Sequence, residues 1–171
     1  AEHAEKPFGS AISANSAVNV FDLVEAGAGN GRLSADILRA AKTRDPAFYE
    51  SIRLHLVDTS AEARRAHAGT LGDVADRLTS SAPMLPDAFE GVLIANELLD
   101  ALPVHQVVMR EDGLREVYVT ADVGRLALHL IEGPPSTPAL AAYLDSLGVT
   151  LEPGWRVEIN LRAVEWIRDA A

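Results

Sequence analysis

The sequence predicts an α/β fold, a parallel sheet flanked by helices and interrupted by an antiparallel β region. Three observations carry that class. An apolar, β-branched run, Val18–Glu25, enters a glycine-dense loop that opens a helical pattern. The order strand, loop, helix, strand, helix calls for parallel strands joined by right-handed crossovers. After Pro103 the texture changes to short β-type runs broken by tight turns, the mark of antiparallel pairing.

The elements follow in order. Val18–Glu25 is the first strand, and Ala26-Gly27-Ala28-Gly29-Asn30-Gly31 is too rich in glycine for helix or strand. Leu33, Ile37, Leu38 and Ala41 recur at helical spacing, and Asp45-Pro46 ends that helix. Ile52–Val57 alternates as a second strand and stops at Asp58. Thr59-Ser60-Ala61-Glu62 fits a capping box, so a second helix starts just after Asp58. Leu78–Ala88, with two serines and two prolines, reads as a loop. Phe89–Ala95 is apolar at successive positions, as expected of a strand buried on both faces.

Beyond Pro103, Val104–Met109, Leu114–Thr120 and Arg125–Ile131 are the antiparallel runs. A helix is expected over Pro138–Leu147, capped by Thr137 and stopped by Gly148. Trp155–Ile159 reads as a further strand and Arg162–Ala171 as a final helix, with Trp155 and Trp166 in the core. This divides the chain into residues 1–103, the nucleotide-fold part, 104–160, the inserted β region, and 161–171, a helix leading back to the parallel sheet.

The chain has 171 residues, 15 Lys+Arg against 25 Asp+Glu, and a net charge of −10. That size is about one domain. The negative balance argues against nucleic acid or anionic lipid as a partner, since both need clustered cations. Without cysteine there are no disulfides, thiolate metal sites or cysteine nucleophile. The five histidines, His3, His55, His67, His105 and His129, show no metal spacing, and no metal is expected. Ser34 and Ser60 lack the context of a nucleophile elbow. No apolar run approaches the roughly 18 residues of a membrane span. The opening Ala1–Lys6 has no signal core behind it and no initiator Met, so a trimmed chain in a soluble, cytoplasmic setting is expected.

The strongest chemical signal is the strand ending in Glu25 followed by Gly27-x-Gly29-x-Gly31 and a helix. Glycines let a ligand lie against main chain, and a helix N-terminus offers unpaired N–H groups. Asp58, at the end of the next strand, can accept both hydroxyls of a ribose. The plainer alternative is an ordinary strand–helix turn with Asp58 merely preceding a helix. Dinucleotide loops read GxGxxG, whereas Arg32 stands at the third glycine's place and Gly31 comes one residue early. No Gly-Lys-Ser/Thr occurs, which excludes a P-loop.

The second signal is Asn96-Glu97-Leu98-Leu99-Asp100-Ala101-Leu102-Pro103 at the end of an apolar strand, where open parallel sheets bind ligands. Asn96 offers an amide, and Glu97 and Asp100 offer carboxylates that can orient a guanidinium. A helix cap, with Asn96 as cap and Asp100 on a solvated face, explains the same spacing equally well.

The layout of Glu25 and its glycines is similar to motif I of class I methyltransferases. Val24–Leu33 with Asp36-Ile37-Leu38, then Ala95–Val104, together resemble the MidA-like methyltransferases, which include the mitochondrial complex I assembly methyltransferase. Arg115-Glu116-Val117, Glu158-Ile159-Asn160 and Trp166 are similar to further family segments, so the likeness covers most of residues 20–171. It implies a Rossmann-like class I methyltransferase sheet, incomplete here, and S-adenosylmethionine as cofactor. For the mitochondrial member it implies symmetric dimethylation of a protein arginine. By the same resemblance Glu25, Gly27, Gly29 and Gly31 line the cofactor's methionine and ribose side. Asp58, where many members have Glu, takes the ribose hydroxyls, and Asn96 and Glu97 face the methyl group.

Departures from the family are Ala28 and Asn30 in place of Pro and Arg, a substrate-side N-terminal stretch matched at most by Phe8-Gly9, and an end at Ala171 before the remaining strands. Absent strands should expose an apolar sheet edge that a partner or a second copy covers. The expected function is therefore methyl transfer to a protein side chain, with Glu97 and Asp100 as catalytic residues. The rivals are a non-catalytic assembly module and, disfavoured by Arg32, an NAD-binding oxidoreductase.

Overall fold

The computed structural model describes residues 20–122, 124 and 127–171. Expectations for His3, Phe8-Gly9, Val18-Asn19 and Arg125-Leu126 lie outside the described residues. Two compact units divide the chain, one through Ala95 and one from Asn96; the sequence had suggested a boundary at Pro103.

The first unit is the parallel sheet. Strands β1 (Phe21–Ala26), β2 (Ile52–Val57), β3 (Leu78–Ala82) and β4 (Gly91–Ile94) lie in the order β3-β2-β1-β4. Every pairing is parallel, with Leu23 beside Leu54 and Glu25 beside Ile94. Side chains alternate across each strand. One face carries Leu23, Ile52, Leu54 and Leu56, which pack on Ala35 and Leu38 of helix α1 (Arg32–Arg44), Tyr49 of α2 (Pro46–Ser51) and Leu71 of α3 (Ala61–Leu71). This is the core that fixes the glycine loop between β1 and α1.

The other face carries a polar cluster. Asp22, 1% exposed, accepts Nε and Nη2 of Arg53, each at 2.8 Å, and the Glu90 N–H at 2.8 Å. His55 bridges Asp22 Oδ1 at 3.1 Å and Ser80 Oγ at 2.9 Å. The Arg53 hydrogen bond outweighs the cost of burial and, with the Glu90 and His55 bonds, holds the Asp22 carboxyl down at about 2.

Three expectations are corrected here. Residues 78–82 form a strand rather than a loop: Leu78-Thr79-Ser80-Ser81-Ala82 lacks an apolar pattern because it is an edge strand whose serines bond to histidines. The β4 strand is shorter than Phe89–Ala95 and is not buried on both faces, since it edges the sheet among the described residues and leaves Val92 45% exposed. Helix α3 is capped by Ser60, whose side chain accepts the Ala63 N–H at 3.3 Å, so the cap falls one residue after Thr59. Helix α2, begun by Pro46 and capped by Asp45, follows the first helix directly.

The second unit is an antiparallel sheet of β5 (His105–Arg110), β6 (Gly113–Ala121), β7 (Leu128–Gly133) and β8 (Arg156–Ile159), in the order β7-β6-β5-β8. Val107 and Ile159 pack on Leu140 and Leu144 of α4 (Ala139–Ser146) and on Leu151. Thr137 accepts the Ala139 N–H, but Pro138 occupies the cap position of α4. Asn160 caps α5 (Leu161–Ala170), its Oδ1 taking the Ala163 N–H at 2.8 Å. Trp155 is 54% exposed and not a core residue: it precedes β8, and its backbone, through Trp155 O, pairs with Met109. Trp166 is half-buried.

Beneath this sheet Glu116, 5% exposed, accepts His105 Nδ1 at 2.7 Å and the Ser136 N–H, and the Tyr118 hydroxyl lies 3.0 Å from it. Burial pushes Glu116 up, but these donors outweigh it and bring the carboxyl down to about 2.

Candidate cofactor site

The site grows from the turn between β1 and α1. Gly27, Gly29 and Gly31 all have positive φ, at 70°, 54° and 84°. An L-residue in that region is strained, so the chain uses glycine at each turn point. A Cβ on Gly29 would meet nothing within 4 Å, which leaves an open cradle above the loop. A Cβ on Gly31 would stand 3.0 Å from Leu56 Cδ1 and 3.5 Å from His67 Cδ2. The loop is thus open above Gly29 and closed below Gly31.

Its hydrogen-bond donors are largely spent on the protein. Gly27 and Ala28 N–H both reach Val57 O at 2.9 and 3.0 Å, and Gly31 N–H reaches Ala28 O at 2.8 Å. Gly29 N–H donates to Asp58 Oδ2 at 2.8 Å, and Arg32 N–H to Asn30 Oδ1 at 3.2 Å. Glu25, 4% exposed, accepts both the N–H of Ser34, at 3.2 Å, and its hydroxyl through Oε2. The expectation of a helix N-terminus free for a ligand is therefore corrected: Glu25 and Asn30 already occupy most of it.

A pyrophosphate needs unpaired N–H groups and a positive end. Two carboxylates flank this loop instead: Glu25, buried against Ser34, and Asp58, half-buried beside Gly29. Asp58 also accepts the Ser60 N–H at 2.8 Å through Oδ1. Each of its oxygens keeps an acceptor position after these bonds, enough for a pair of vicinal hydroxyls. Asp58 is fixed in turn by its own N–H on Ala82 O, at 3.0 Å, and by Arg64 Nη1 on its carbonyl, at 2.6 Å.

Asn96–Pro103 forms no helix, so the helix-cap explanation of these residues falls away. Asn96, Glu97 and Asp100 are exposed, and Ala101 N–H closes a turn on Leu98 O at 3.2 Å. Glu97 has φ 53°, alone among the described non-glycine residues with positive φ. Such strain persists only where the surroundings impose it, and it concentrates at working sites. Asn160 Nδ2 donates to Leu99 O at 2.9 Å and ties the segment to the start of α5.

Residues 10–171 match the model of a family described as "Putative S-adenosyl-L-methionine-dependent methyltransferase". The chain belongs to this methyltransferase family. The chain is 32% identical over 144 residues to protein arginine methyltransferase NDUFAF7 of Mus musculus, a match covering 71% of this chain and 33% of that protein. The NDUFAF7 homolog of Caenorhabditis elegans is 32% identical over 120 residues, 58% of this chain and 27% of that protein. The fold matches a COG1565 superfamily member from Burkholderia thailandensis bound to S-adenosyl-homocysteine, with a TM-score of 0.72 and 31% identity. That alignment covers 90% of this chain and 39% of the other. The chain thus spans about a third of its curated relatives and about two-fifths of this neighbour.

The family's cofactor is S-adenosyl-L-methionine, and the residues present fit it. Open space at Gly29 lets a ligand lie against the main chain, and Asp58, with acceptor positions to spare, suits hydroxyls better than phosphates. Sequence reasoning missed three contributors to the loop, Ser34, His67 and Ser81. His67 Nε2 lies 3.0 Å from Gly29 O and its Nδ1 2.8 Å from Ser81 Oγ. Only the pairing of the loop with β2, β3 and α3 brings them together. Among the described residues no group of three His, Asp or Glu is placed to hold a metal, and no helix is long and apolar enough to cross a membrane.

Proposed function

We propose that this chain is the cofactor-binding part of an S-adenosylmethionine-dependent methyltransferase whose acceptor is a protein side chain, an arginine. The observation that carries the reading is Asp58 bonded to Gly29, with Glu25 at the start of the same loop. A loop whose N–H groups are already taken, that of Gly29 by a carboxylate, disfavours a pyrophosphate and suits a neutral-to-cationic nucleoside. The arginine acceptor is supported by the NDUFAF7 relatives, which are named protein arginine methyltransferases. A net charge of −10 suits a basic acceptor.

When bound, the cofactor supplies an electrophilic methyl group on a sulfonium. The chain's own residues do the positioning. By the family resemblance Glu25 would serve the cationic amino-acid end, Asp58 would accept the ribose hydroxyls, and Asn96 would offer its amide to the cofactor. Glu97 and Asp100 accept N–H groups of the guanidinium, turn one nitrogen toward the methyl, and take up the proton that nitrogen sheds. Alignment of this kind supplies much of the rate of an in-line displacement.

The experiment is calorimetric titration with S-adenosylhomocysteine and with NAD, followed by transfer of labelled methyl from S-adenosylmethionine to an arginine-rich protein. Binding of S-adenosylhomocysteine alone is expected, and binding of NAD instead would overturn the reading. Binding without transfer would leave a cofactor-binding module. With transfer in hand, Glu97→Gln lowers it at least tenfold; unchanged transfer removes Glu97 from the chemistry.

A further inference from the structure

Asp58 is only half of what holds Gly29. We propose that His67 is a positioning residue for the cofactor loop, its Nε2–H donating to Gly29 O and fixing the peptide after Gly29 while Asp58 holds the N–H before it. The inference deepens the S-adenosylmethionine reading and rests on it for its functional meaning.

His67 sits in α3 with its residue wholly buried. An imidazole in such a place is costly unless both nitrogens are bonded. A carbonyl oxygen only accepts, so the 3.0 Å contact with Gly29 O puts the hydrogen on Nε2. In the neutral ring Nδ1 is then an acceptor, and Ser81 Oγ, 2.8 Å away in β3, donates to it. Gly29 O thus fixes the tautomer, and Ser81 completes it by donating to the nitrogen left as acceptor.

Gly29 is exposed and held in the left-handed region at φ 54°, with no side chain of its own to anchor it. Its N–H is taken by Asp58, 29 residues away, and its carbonyl by His67, 38 residues away. Among the described residues His67 is the only partner of that carbonyl. The ring is also part of the floor under Gly31, where a Cβ would lie 3.5 Å from Cδ2. A leucine of similar size would fill the floor equally well, so packing alone does not require histidine. The polar choice serves the loop.

The test separates the hydrogen bond from the packing. Gln can place an amide N–H where Nε2–H stands, Asn reaches only to the Nδ1 position, and Leu keeps bulk without a donor. The full chain carrying His67→Gln, His67→Asn or His67→Leu is compared with the parent by amide exchange at Gly29 and Gly31 and by titration with S-adenosylhomocysteine. Exchange at both glycines should accelerate about tenfold in the Asn and Leu variants and within threefold in Gln. S-adenosylhomocysteine affinity should fall about tenfold in the first two and return in Gln. If Leu fails to fold, the Gln–Asn pair decides. Equal exchange and affinity in all variants overturns the assignment, as does a Gln variant as poor as Asn. A parent that binds no S-adenosylhomocysteine defeats the cofactor reading, while the exchange pattern still judges His67.

Discussion

Asp58 Oδ2 accepts the N–H of Gly29 at 2.8 Å, joining the end of β2 to the middle of the loop after β1. Its other oxygen takes the Ser60 N–H that starts α3. One carboxylate therefore shapes the loop and begins a helix. Asp58→Ala should cost about 1–2 kcal/mol of stability and weaken S-adenosylhomocysteine by at least tenfold. Asp58→Asn, which keeps one of the two acceptors, should recover only part of the stability and none of the affinity. Urea unfolding and calorimetry on the two variants check the split.

Gly29 and Gly31 should respond differently to alanine. At Gly31 the new methyl meets Leu56 at 3.0 Å in a buried floor, at φ 84°. Gly31→Ala is expected to lose roughly 2–3 kcal/mol, from backbone strain and overpacking together. Gly29→Ala meets nothing within 4 Å, so it should lose only about 1 kcal/mol, yet it fills the cradle and should abolish measurable S-adenosylhomocysteine binding. Thermal melts with and without ligand distinguish the two.

Acid sensitivity follows from two buried carboxylates. Arg53 holds Asp22 at about 2, below its ordinary 3.8. The bonds from His105, Ser136 and Tyr118, working against burial, hold Glu116 at about 2, below 4.5. A depressed folded value means stability that is complete above the ordinary value and drains as pH falls toward about 2. Each group contributes on the order of 2 kcal/mol at neutral pH, lost between pH 4.5 and 2. Urea unfolding of the parent should thus weaken sharply from pH 5 to pH 3. Glu116→Gln should be less stable at pH 7 and lose part of that pH dependence.

Asn160 couples a helix cap to the segment that carries Glu97. Its Oδ1 caps α5 and its Nδ2 holds Leu99 O. Asn160→Asp preserves the cap and removes the donor, whereas Asn160→Ala loses both. Faster amide exchange over residues 96–103 is expected in both variants, with a further loss of about 1 kcal/mol in Ala only. Slow, parent-like exchange in Asp would show that Leu99 is held by something else.

Much of this was legible in the residues. Gly27, Gly29 and Gly31 announce their left-handed backbone because few other residues adopt it, and Asp58 is marked by ending a clean alternating strand. Strand β3 was not legible, because Ser80 and Ser81 owe their place to hydrogen bonds with His55 and His67 rather than to apolar burial. Those two histidines looked idle for the same reason. A lone histidine in a helix or strand gives no local sign of a partner 38 residues earlier. Trp155 misled in the opposite direction: its size suggested the core, but a residue at the entrance of an edge strand can be held by its backbone alone.

Asp58 and His67 grip opposite ends of one glycine, and they stand nine positions apart on a single strand-to-helix stretch. The glycine loop is therefore not portable by itself. Anyone grafting this loop into another scaffold, or shuffling it between relatives, would have to carry residues 25–34 and 58–67 as one cassette, with Ser81 or a substitute hydroxyl bonded to His67. Moved singly, either piece would arrive without its template.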